Sequence, residues 1–367
     1  MRRLLCSAIA FLLLLPGVAA AEAKPDVPAQ AAYLIEANSG RVLYAKNENA
    51  RLPMASTTKI MTALLAVESG RMDETVAVPK EAIGIEGSSM YLSEGETMPL
   101  CDLVYGLMLR SGNDAAVAIA CILDGGTEAF AARMNARAAA LGLFDTHFVT
   151  PNGLPDSDHY TTARDLALLG AAALENPAFT EIVKTQYHKT TGTVSRTLKN
   201  KNRLLWEYEG ALGVKTGYTK AAGKCLVFAA ERGGMKLCGA ILNCPSMWDT
   251  AKSLLDYGFS AYRAKAFLSA NTVFSIPVAN GEKKTLSLAP RSAILYPTET
   301  DGSAAYRVET TLPDLCLAPI LAGQQVGTAT LYRNGEVIVS VPVVALETVD
   351  KVGFGYYFRK AAADFCG

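Results

Sequence analysis

The sequence predicts a mixed α/β domain followed by a small all-β domain, on three observations. Strand-like segments lie at both ends of the region before residue 265, and helical patterns fill its middle. Terminal strands of this kind can share one antiparallel sheet with the helices packed against it. Beyond residue 265, short strand-like segments alternate with turns rich in Gly, Pro and Asn. The length of 367 residues also suits two domains.

The N-terminus predicts a secretory signal peptide over residues 1–23. Arg2 and Arg3 supply positive charge, residues 4–15 are apolar, and the segment VAAAEA offers small-residue cleavage sites. The apolar run is too short for a spanning helix, although a retained signal anchor is the alternative. In both cases we expect an exported protein at the extracytoplasmic face of the cell membrane.

The first predicted domain, residues 24–264, begins with a hairpin and a buried helix. Residues 31–47 contain two strand-like runs joined by Asn-Ser-Gly turn chemistry. The next helix, over 57–69, is apolar nearly all round, which is typical of a buried helix. Three more helices follow, with expected N-caps at Asp102, at Asn113 or Asp114, and at Thr127.

The rest of that domain alternates again between helix and strand. A capped helix is predicted over TTARDLALLGAAALEN, two strands flank Gly233-Gly234, and a helix covers 247–263. Residues 265–346 then form the small β-sandwich-like domain. The tail, residues 347–367, combines aromatic and basic residues and can contact a membrane surface. The alternative for the tail is a short element docked on the β domain.

Composition excludes several classes of function. Lys+Arg and Asp+Glu both number 35, so nothing electrostatic favours a nucleic acid as partner. Seven cysteines remain after the signal peptide, an odd number, and most lie in apolar runs, so we expect small buried residues rather than a disulfide framework. The three histidines lack metal-like spacing. We therefore expect no metal and no other cofactor. A Ser-His-Asp triad is not excluded by counting, but no G-x-S-x-G motif accompanies the histidines.

Lys59, in the first turn of the buried helix, is the most unusual residue of the sequence. A helix N-terminus disfavours a cation and burial penalises an ammonium, so both effects lower the pKa of the lysine. Ser56 lies three residues earlier on the same face, where a neutral lysine can take its hydroxyl proton. The helix end also favours negative charge on an attacked carbonyl. Since S-x-x-K occurs roughly once by chance in such a chain, a capping serine with a snorkelling lysine is the alternative.

Two further motifs strengthen the catalytic interpretation. Ser111 and Asn113 lie at a break between two apolar helices, where the serine can relay a proton and the asparagine can hold a substrate amide or orient the lysine. Lys215 and Thr216 begin a predicted strand and offer a cation and a hydroxyl to a substrate carboxylate, while Gly217 permits close approach of a backbone. Taken singly, each tripeptide is more often an ordinary turn.

The motifs S-x-x-K, S-x-N and K-T-G, in this order, resemble the active-site set of penicillin-binding proteins and serine β-lactamases. Segments such as SGNDAA, NKNRLLW and GVKTGYTKAAGKCL further resemble the low-molecular-mass penicillin-binding proteins, the serine-type D-Ala-D-Ala carboxypeptidases of peptidase family S11. The resemblance implies a β-lactamase/transpeptidase-like domain with an antiparallel sheet and a helical subdomain. It also implies removal of the terminal D-Ala from peptidoglycan stem pentapeptides, a role in cell-wall synthesis and cell shape, and acylation by β-lactam antibiotics.

The resemblance implies a role for each matching catalytic residue. Ser56 would be acylated by the penultimate D-Ala carbonyl, and Lys59 would be the general base. Ser111 and Asn113 would shuttle protons and position both Lys59 and the substrate.

The resemblance likewise implies the substrate-binding residues. Lys215 and Thr216 would bind the terminal carboxylate, and the backbone N–H groups of Ser56 and Tyr218 would form the oxyanion hole. Lys201 stands where many family members have arginine. Lysine is not equivalent there because it cannot make a planar bidentate contact.

Two other functions are alternatives to this one. A class A β-lactamase activates its deacylating water with a loop glutamate, but the loop over residues 145–160 contains aspartates and no glutamate, and SGN replaces SDN. A non-catalytic penicillin-binding cell-wall scaffold would keep the fold without the chemistry, yet all three motifs are complete.

Overall fold

The computed structural model describes residues 23–358; residues 1–22, within the predicted signal peptide, and 359–367, at the end of the tail, lie outside the described part. The strands are, in chain order, β1 (Ala31–Glu36), β2 (Val42–Lys46), β3 (Thr75–Ala77), β4 (Thr97–Pro99), β5 (Tyr187–Lys189), β6 (Thr197–Lys199), β7 (Ala211–Thr219), β8 (Gly223–Arg232), β9 (Met235–Leu242), β10 (Tyr262–Leu268), β11 (Phe274–Ala279), β12 (Thr285–Pro290), β13 (Ile294–Glu299), β14 (Tyr306–Thr311), β15 (Cys316–Leu317), β16 (Gln325–Arg333) and β17 (Glu336–Ala345). The α-helices are α1 (Lys59–Glu68), α2 (Leu100–Tyr105), α3 (Asn113–Asp124), α4 (Thr127–Ala140), α5 (Ala163–Leu174), α6 (Pro177–Lys184), α7 (Leu204–Glu207) and α8 (Met247–Ala261). Ala55–Thr58 and Lys80–Ala82 are 3-10 turns, and Gly106–Arg110 is π-helical.

The first sheet confirms the predicted mixed α/β class. Its strands have the order β2-β1-β9-β8-β7 and are antiparallel throughout. β1 and β2 form the predicted N-terminal hairpin. Gly233 and Gly234 join β8 to β9 with positive φ at both residues, which suits a tight hairpin turn. β7 is left at one edge of the sheet.

The sheet separates two hydrophobic cores because alternate residues of a strand face opposite sides. In β1, Tyr33 and Ile35 face the core that holds α1, α3 and α5, whereas Ala32 and Leu34 face the core under α8. Every residue of α1 except Glu68 is buried, as its apolar sequence predicts. The turn before α1 packs against the edge strand β7, so the helix start is held by the sheet.

Helix ends agree with the sequence wherever glycine stops a helix. Gly125 and Gly142 follow α3 and α4 with positive φ. The predicted capped helix that begins at TT is confirmed as α5: the side chain of Thr162 accepts a hydrogen bond of 3.0 Å from the Asp165 N–H. These signals depend only on local geometry, which is why the sequence contains them.

Three of the predicted N-caps are wrong. The residues at the starts of α2, α3 and α4 are Pro99, Gly112 and Gly126, and none of them makes a side-chain cap. The Asp102 carboxylate instead accepts hydrogen bonds from the His188 ring and from Thr191. The capping rule assigns the Asp102 carboxylate to the start of α2, but residues distant in the sequence occupy it with their own hydrogen bonds.

The sequence also missed several short elements. The two-stranded sheets β3–β4 and β5–β6 contain strands of three residues each, too short to show alternation. Helix α6 lies in a segment for which no element was predicted. The K-T-G tripeptide falls in the middle of β7 rather than at its start.

The C-terminal region consists of β-strands, as predicted. A six-stranded sheet has the order β14-β16-β17-β12-β11-β15, and β10 pairs separately with β13. Strand β10 starts at Tyr262, where the sequence predicts the last turn of a helix. A third hydrophobic core lies within this region and includes Leu288, Leu331 and Val343.

Two further features are the cysteines, which are free thiols in the described residues, and the tail, whose described part contains a short helix. Within residues 23–358 every cysteine is a free thiol. Cys225, Cys238 and Cys244 are buried, as expected for small apolar residues, whereas Cys101, Cys121 and Cys316 are only partly buried. In the tail, residues 354–358 are helical, with Phe354 and Phe358 exposed. No single helix among the described residues is long and apolar enough to cross a membrane, although two bent helix pairs meet that test together.

Arg41, next to β2, joins the first sheet to the C-terminal β region. Its guanidinium donates hydrogen bonds to Pro297 O, to Tyr306 Oη (2.8 Å) and to the Glu299 carboxylate. Tyr306 also donates to Glu299 at 2.6 Å. Burial would raise the pKa of Glu299, but the hydrogen bonds from Tyr306 and Arg41 outweigh it and lower that pKa to about 2.

Replacing Arg41 with Ala should therefore uncouple the two parts of the molecule. We expect a loss of about 3 kcal/mol in the free energy of unfolding, because the Glu299 carboxylate keeps only part of its pairing. Calorimetry should resolve two transitions in place of a shared one. Since the pKa of Glu299 is depressed, the stabilisation is present above pH 4.5 and disappears as pH falls toward about 2.

Arg307→Ala is the matched control for this prediction. Arg307 pairs with Glu309 on the surface of the same β region, with both side chains substantially exposed. An exposed pair contributes at most about 1 kcal/mol. Equal effects of the two substitutions would show that the Arg41 cluster does not couple the regions.

Candidate active site

The start of α1 brings Ser56 and Lys59 into direct contact. Ser56 lies in the 3-10 turn Ala55–Thr58, and Lys59 is the first residue of α1. The side chain of Lys59 is completely buried, and its Nζ lies 2.9 Å from Ser56 Oγ. The spacing of three residues thus places both groups on one face, as the sequence predicts.

Two carbonyl oxygens complete the surroundings of the Lys59 amine. Asn113 Oδ1 lies 2.7 Å from Nζ, and the backbone carbonyl of Asn152 also accepts a hydrogen bond from it. An uncharged lysine has two N–H groups and one lone pair. If the two carbonyls accept the two N–H groups, the lone pair is directed to the remaining neighbour, the Ser56 hydroxyl.

Burial and nearby cations favour the uncharged form of the Lys59 amine. Burial lowers its pKa well below the usual value, and the positive charges of Lys215 and Lys201 lower it further, while Asp114 has a smaller opposing effect. The site therefore contains an amine base in contact with a serine hydroxyl.

Asn113 is fixed in orientation by the loop over residues 83–96. Its Nδ2 donates to Glu86 O at 2.6 Å, which leaves Oδ1 to face Lys59. Its backbone N–H donates to Ser88 O at 2.7 Å. Asp114 anchors the same loop by accepting hydrogen bonds from the backbone of Met90 and from Ser89 Oγ.

Ser111 borders the same groove but does not join the Lys59 cluster directly. It has a left-handed backbone (φ 64°) at the junction between the π-helical segment and α3. It is nearly buried, and its hydroxyl has no hydrogen-bond partner among residues 23–358. The hydroxyl is thus available to a molecule bound in the groove.

Edge strand β7 carries K-T-G past the serine at van der Waals distance. A Cβ atom built on Gly217 would lie 3.0 Å from Met54 O and 3.2 Å from Ser56 N. Any larger residue at Gly217 would push the strand away from the nucleophile. The close approach of the backbone before α1 explains why glycine occupies this position. The sequence predicts glycine here for the approach of a substrate backbone, which stays a prediction.

Lys215 and Lys201 place two cations beside the groove. Lys215 is buried, and its Nζ donates to Thr216 O at 3.0 Å. Burial, and next the charge of Lys201, lower the pKa of Lys215 to about 7. Lys201 Nζ lies 3.1 Å from Ser88 Oγ, and its own pKa is lowered by partial burial and by Arg110. An anion bound here would relieve the mutual repulsion of these groups.

A groove of about 430 Å³ runs past Ser56. Apolar side chains of Met247 and Trp248 form one wall, and Tyr218 is two-thirds exposed at its mouth. The predicted site residues that line the groove are Ser56, Ser111, Lys201, Thr216, Gly217 and Tyr218. Lys59, Asn113 and Lys215 lie in the protein interior behind it.

Comparison with known proteins identifies the family. Residues 18–246 match Peptidase S11, described as D-alanyl-D-alanine carboxypeptidase, and residues 262–351 match the C-terminal domain of penicillin-binding protein 5. The chain belongs to the S11 family. It is 34% identical to the D-alanyl-D-alanine carboxypeptidase DacF of Bacillus subtilis over 100% of this chain and 99% of that protein.

Other S11 proteins are similar in sequence and in structure. DacA of Escherichia coli is 33% identical over 93% of this chain and 87% of its own length. Penicillin-binding protein 5 from Haemophilus influenzae superposes with a TM-score of 0.76 and 28% identity, over 90% of this chain and 100% of that chain. The agreement extends over both parts of the molecule, so the S11 assignment does not depend on the motifs alone.

The sequence motifs did not reveal every group at this S11 site. Asn152 contributes a backbone carbonyl, which any residue could supply, so no side-chain signal points to it. Asp114 is one of two predicted caps of α3, but in the structure it anchors the loop beside Asn113. For His159 the sequence shows only the absence of metal-like spacing, yet the side chain lies buried beside Thr58 at the helix start.

Replacing Lys59 with Arg should abolish acylation of Ser56. Arginine keeps its charge in proteins, so it cannot accept the serine proton. We expect the rate of labelling by fluorescent penicillin to fall about 10²–10⁴-fold, the usual contribution of a general base. Lys252→Arg, at a surface pair with Glu207, should label at the wild-type rate. Normal labelling of Lys59→Arg would contradict the uncharged-base interpretation.

Proposed function

We propose that Ser56 and Lys59 perform the D-alanyl-D-alanine carboxypeptidase reaction of this S11 enzyme through a covalent acyl-enzyme. The observation that carries the proposal is the buried Lys59 amine, 2.9 Å from Ser56 Oγ and hydrogen-bonded to two carbonyls. This arrangement is a nucleophile with an adjacent base whose orientation is fixed by a third group.

In the first step, Ser56 Oγ attacks the carbonyl of the penultimate D-Ala. The hydroxyl proton passes to the Lys59 amine, and from there to the nitrogen of the departing D-Ala, with Ser111 placed to relay it. The peptide bond breaks as the ester forms. Lys59 is then uncharged again and can accept a proton from the water that hydrolyses the ester.

Charge on the attacked carbonyl oxygen would be stabilised by the backbone N–H groups of Ser56 and Tyr218. Support comes from the edge position of β7 and from its close approach to the serine, since Gly217 lies against Ser56 N. Donors fixed at this place need no rearrangement as the charge develops.

The terminal carboxylate of the substrate would lie between Lys215, Lys201 and the Thr216 hydroxyl. Burial lowers the pKa of Lys215, and the charge of Lys201 lowers it further. The pKa of Lys201 is lowered by partial burial and by the charge of Arg110. A carboxylate would restore their ordinary basicity and be bound strongly in return. Asn113 would hold a substrate amide in addition to orienting Lys59.

The substrate class follows from the family: a peptidoglycan stem peptide ending in D-Ala-D-Ala, with β-lactam antibiotics as covalent inhibitors. We further propose export by the N-terminal signal sequence and a role in cell-wall synthesis and cell shape at the extracytoplasmic face of the membrane. The exposed aromatic residues Phe354, Tyr357 and Phe358 support contact of the tail with a membrane surface.

The decisive experiment compares wild type with Ser56→Ala. We expect wild type to release free D-Ala from a pentapeptide ending in D-Ala-D-Ala and to bind labelled penicillin covalently. Ser56→Ala should do neither, while its thermal unfolding stays close to that of the wild type. Absence of D-Ala release by folded wild type, with labelling intact, would instead favour the scaffold. Repeated hydrolysis of benzylpenicillin by each site would favour the β-lactamase.

The pH dependence of kcat/KM should report the ionisation of Lys215. Its pKa of about 7 in the free enzyme means that the ammonium form is lost as pH rises above 7. For a substrate with a free terminal carboxylate, kcat/KM should therefore decrease on the alkaline side. The same peptide with an amidated C-terminus, and the Lys215→Gln variant, should lack this decrease. A decrease of equal size in all three cases would remove Lys215 as its cause.

A further inference from the structure

A chain of hydrogen bonds runs from the loop over residues 149–159 to the backbone just before the nucleophile Ser56. His159 Nδ1 accepts a hydrogen bond of 3.0 Å from the Val149 N–H. His159 Nε2 lies 2.7 Å from Thr58 Oγ1, and Thr58 Oγ1 donates to Ala55 O at 2.8 Å. His159 and Thr58 are both buried, so the chain is shielded from water.

The direction of every proton in this chain is determined. A backbone N–H can only donate, so Nδ1 of His159 is the acceptor and the uncharged ring carries its proton on Nε2. That proton goes to Thr58 Oγ1, whose own proton goes to Ala55 O. Burial lowers the pKa of His159 to about 4, so the ring stays uncharged at neutral pH.

Ala55, at the end of this chain, has a backbone that needs support. It has φ 49°, in the left-handed region that costs a non-glycine residue about 1 kcal/mol or more. The loop presses on it directly, since a Cβ on Gly153 would lie 2.0 Å from Ala55 O. The backbone conformation of Ala55 sets the direction in which the chain continues into Ser56. It therefore sets the positions of both the Oγ atom and the N–H group of the nucleophile.

We propose that His159 is a positioning residue for Ser56, acting through the Thr58 hydroxyl on the Ala55 carbonyl. The loop over residues 149–159 then orients both partners of the reaction: Asn152 O holds the Lys59 amine, and His159 fixes the backbone that carries the serine. This inference relies on the proposed role of Ser56 as the nucleophile.

The test uses Thr58→Val, which keeps the shape of the side chain and removes the hydroxyl. We expect the rate of Ser56 acylation at saturating penicillin to fall about 10–100-fold, because a displacement of the nucleophile by less than 1 Å has effects of this order. The non-covalent dissociation constant for penicillin, and KM for the pentapeptide, should change less than about threefold. Thr58→Ser, which retains the hydroxyl, should stay within about threefold of wild type in rate.

Thr62→Val is the matched control, one turn further along α1. Thr62 Oγ1 donates to Pro151 O at 2.6 Å, so this variant also removes a buried hydroxyl bond between the helix and the same loop. It should lose comparable thermal stability and keep the wild-type acylation rate. A merely structural role of Thr58 would make the two variants equivalent.

His159 is tested by His159→Leu and by the double variant with Thr58→Val. If the two residues act as one unit, the double variant should acylate no more slowly than the slower single variant. All rates are measured below the onset of unfolding. Wild-type acylation by folded Thr58→Val, or multiplied effects in the double variant, would overturn the inference; the role of Ser56 itself is tested separately by Ser56→Ala.

Discussion

The burial of the Lys59 amine beside Ser56 is the constraint on which the rest of this molecule depends. Placing the Lys59 amine in the interior favours its neutral form, but a buried polar group must also be hydrogen-bonded. The protein satisfies it with the carbonyls of Asn113 and Asn152, which lie on separate segments of the chain. The two hydrogen bonds that offset the cost of burying the amine also orient it toward Ser56. The same contacts therefore stabilise the buried lysine and prepare it to act as a base.

The site is rigid because each of its segments is anchored by the main core. Helix α1 is buried along almost its whole length, strand β7 packs on the turn before it, and the loop over residues 83–96 is anchored by Asp114. Substrate-binding and catalytic groups thus belong to elements whose packing fixes them before any ligand arrives. Such preorganisation is what electrostatic stabilisation of a developing charge requires.

The β region is joined to the first sheet by a different kind of contact. Arg41 lies over the rings of Tyr262 and Tyr296 and pairs with Glu299, so a charged cluster adds to the packing of Tyr262 against the core under α8. Directional hydrogen bonds set orientation more strictly than apolar burial does. The cluster therefore holds the start of β2 against strand β13 and Tyr306.

The sequence by itself determined the features that depend on neighbouring residues: the hairpins, the glycine stops, the Thr162 cap, and the contact between Ser56 and Lys59, which helical geometry imposes on residues three apart. The sequence also shows the three motifs S-x-x-K, S-x-N and K-T-G, because their side chains are chemically distinctive. Tertiary structure alone decided which groups meet them. Local sequence predicts Asp102 and Asp114 as helix caps, yet their carboxylates accept hydrogen bonds from residues distant in the chain. Asn152 acts through a backbone carbonyl, which every residue possesses. His159 contacts Thr58, which lies 101 positions away in the chain. Contacts of this kind arise from the packing of separate elements, which no local pattern encodes.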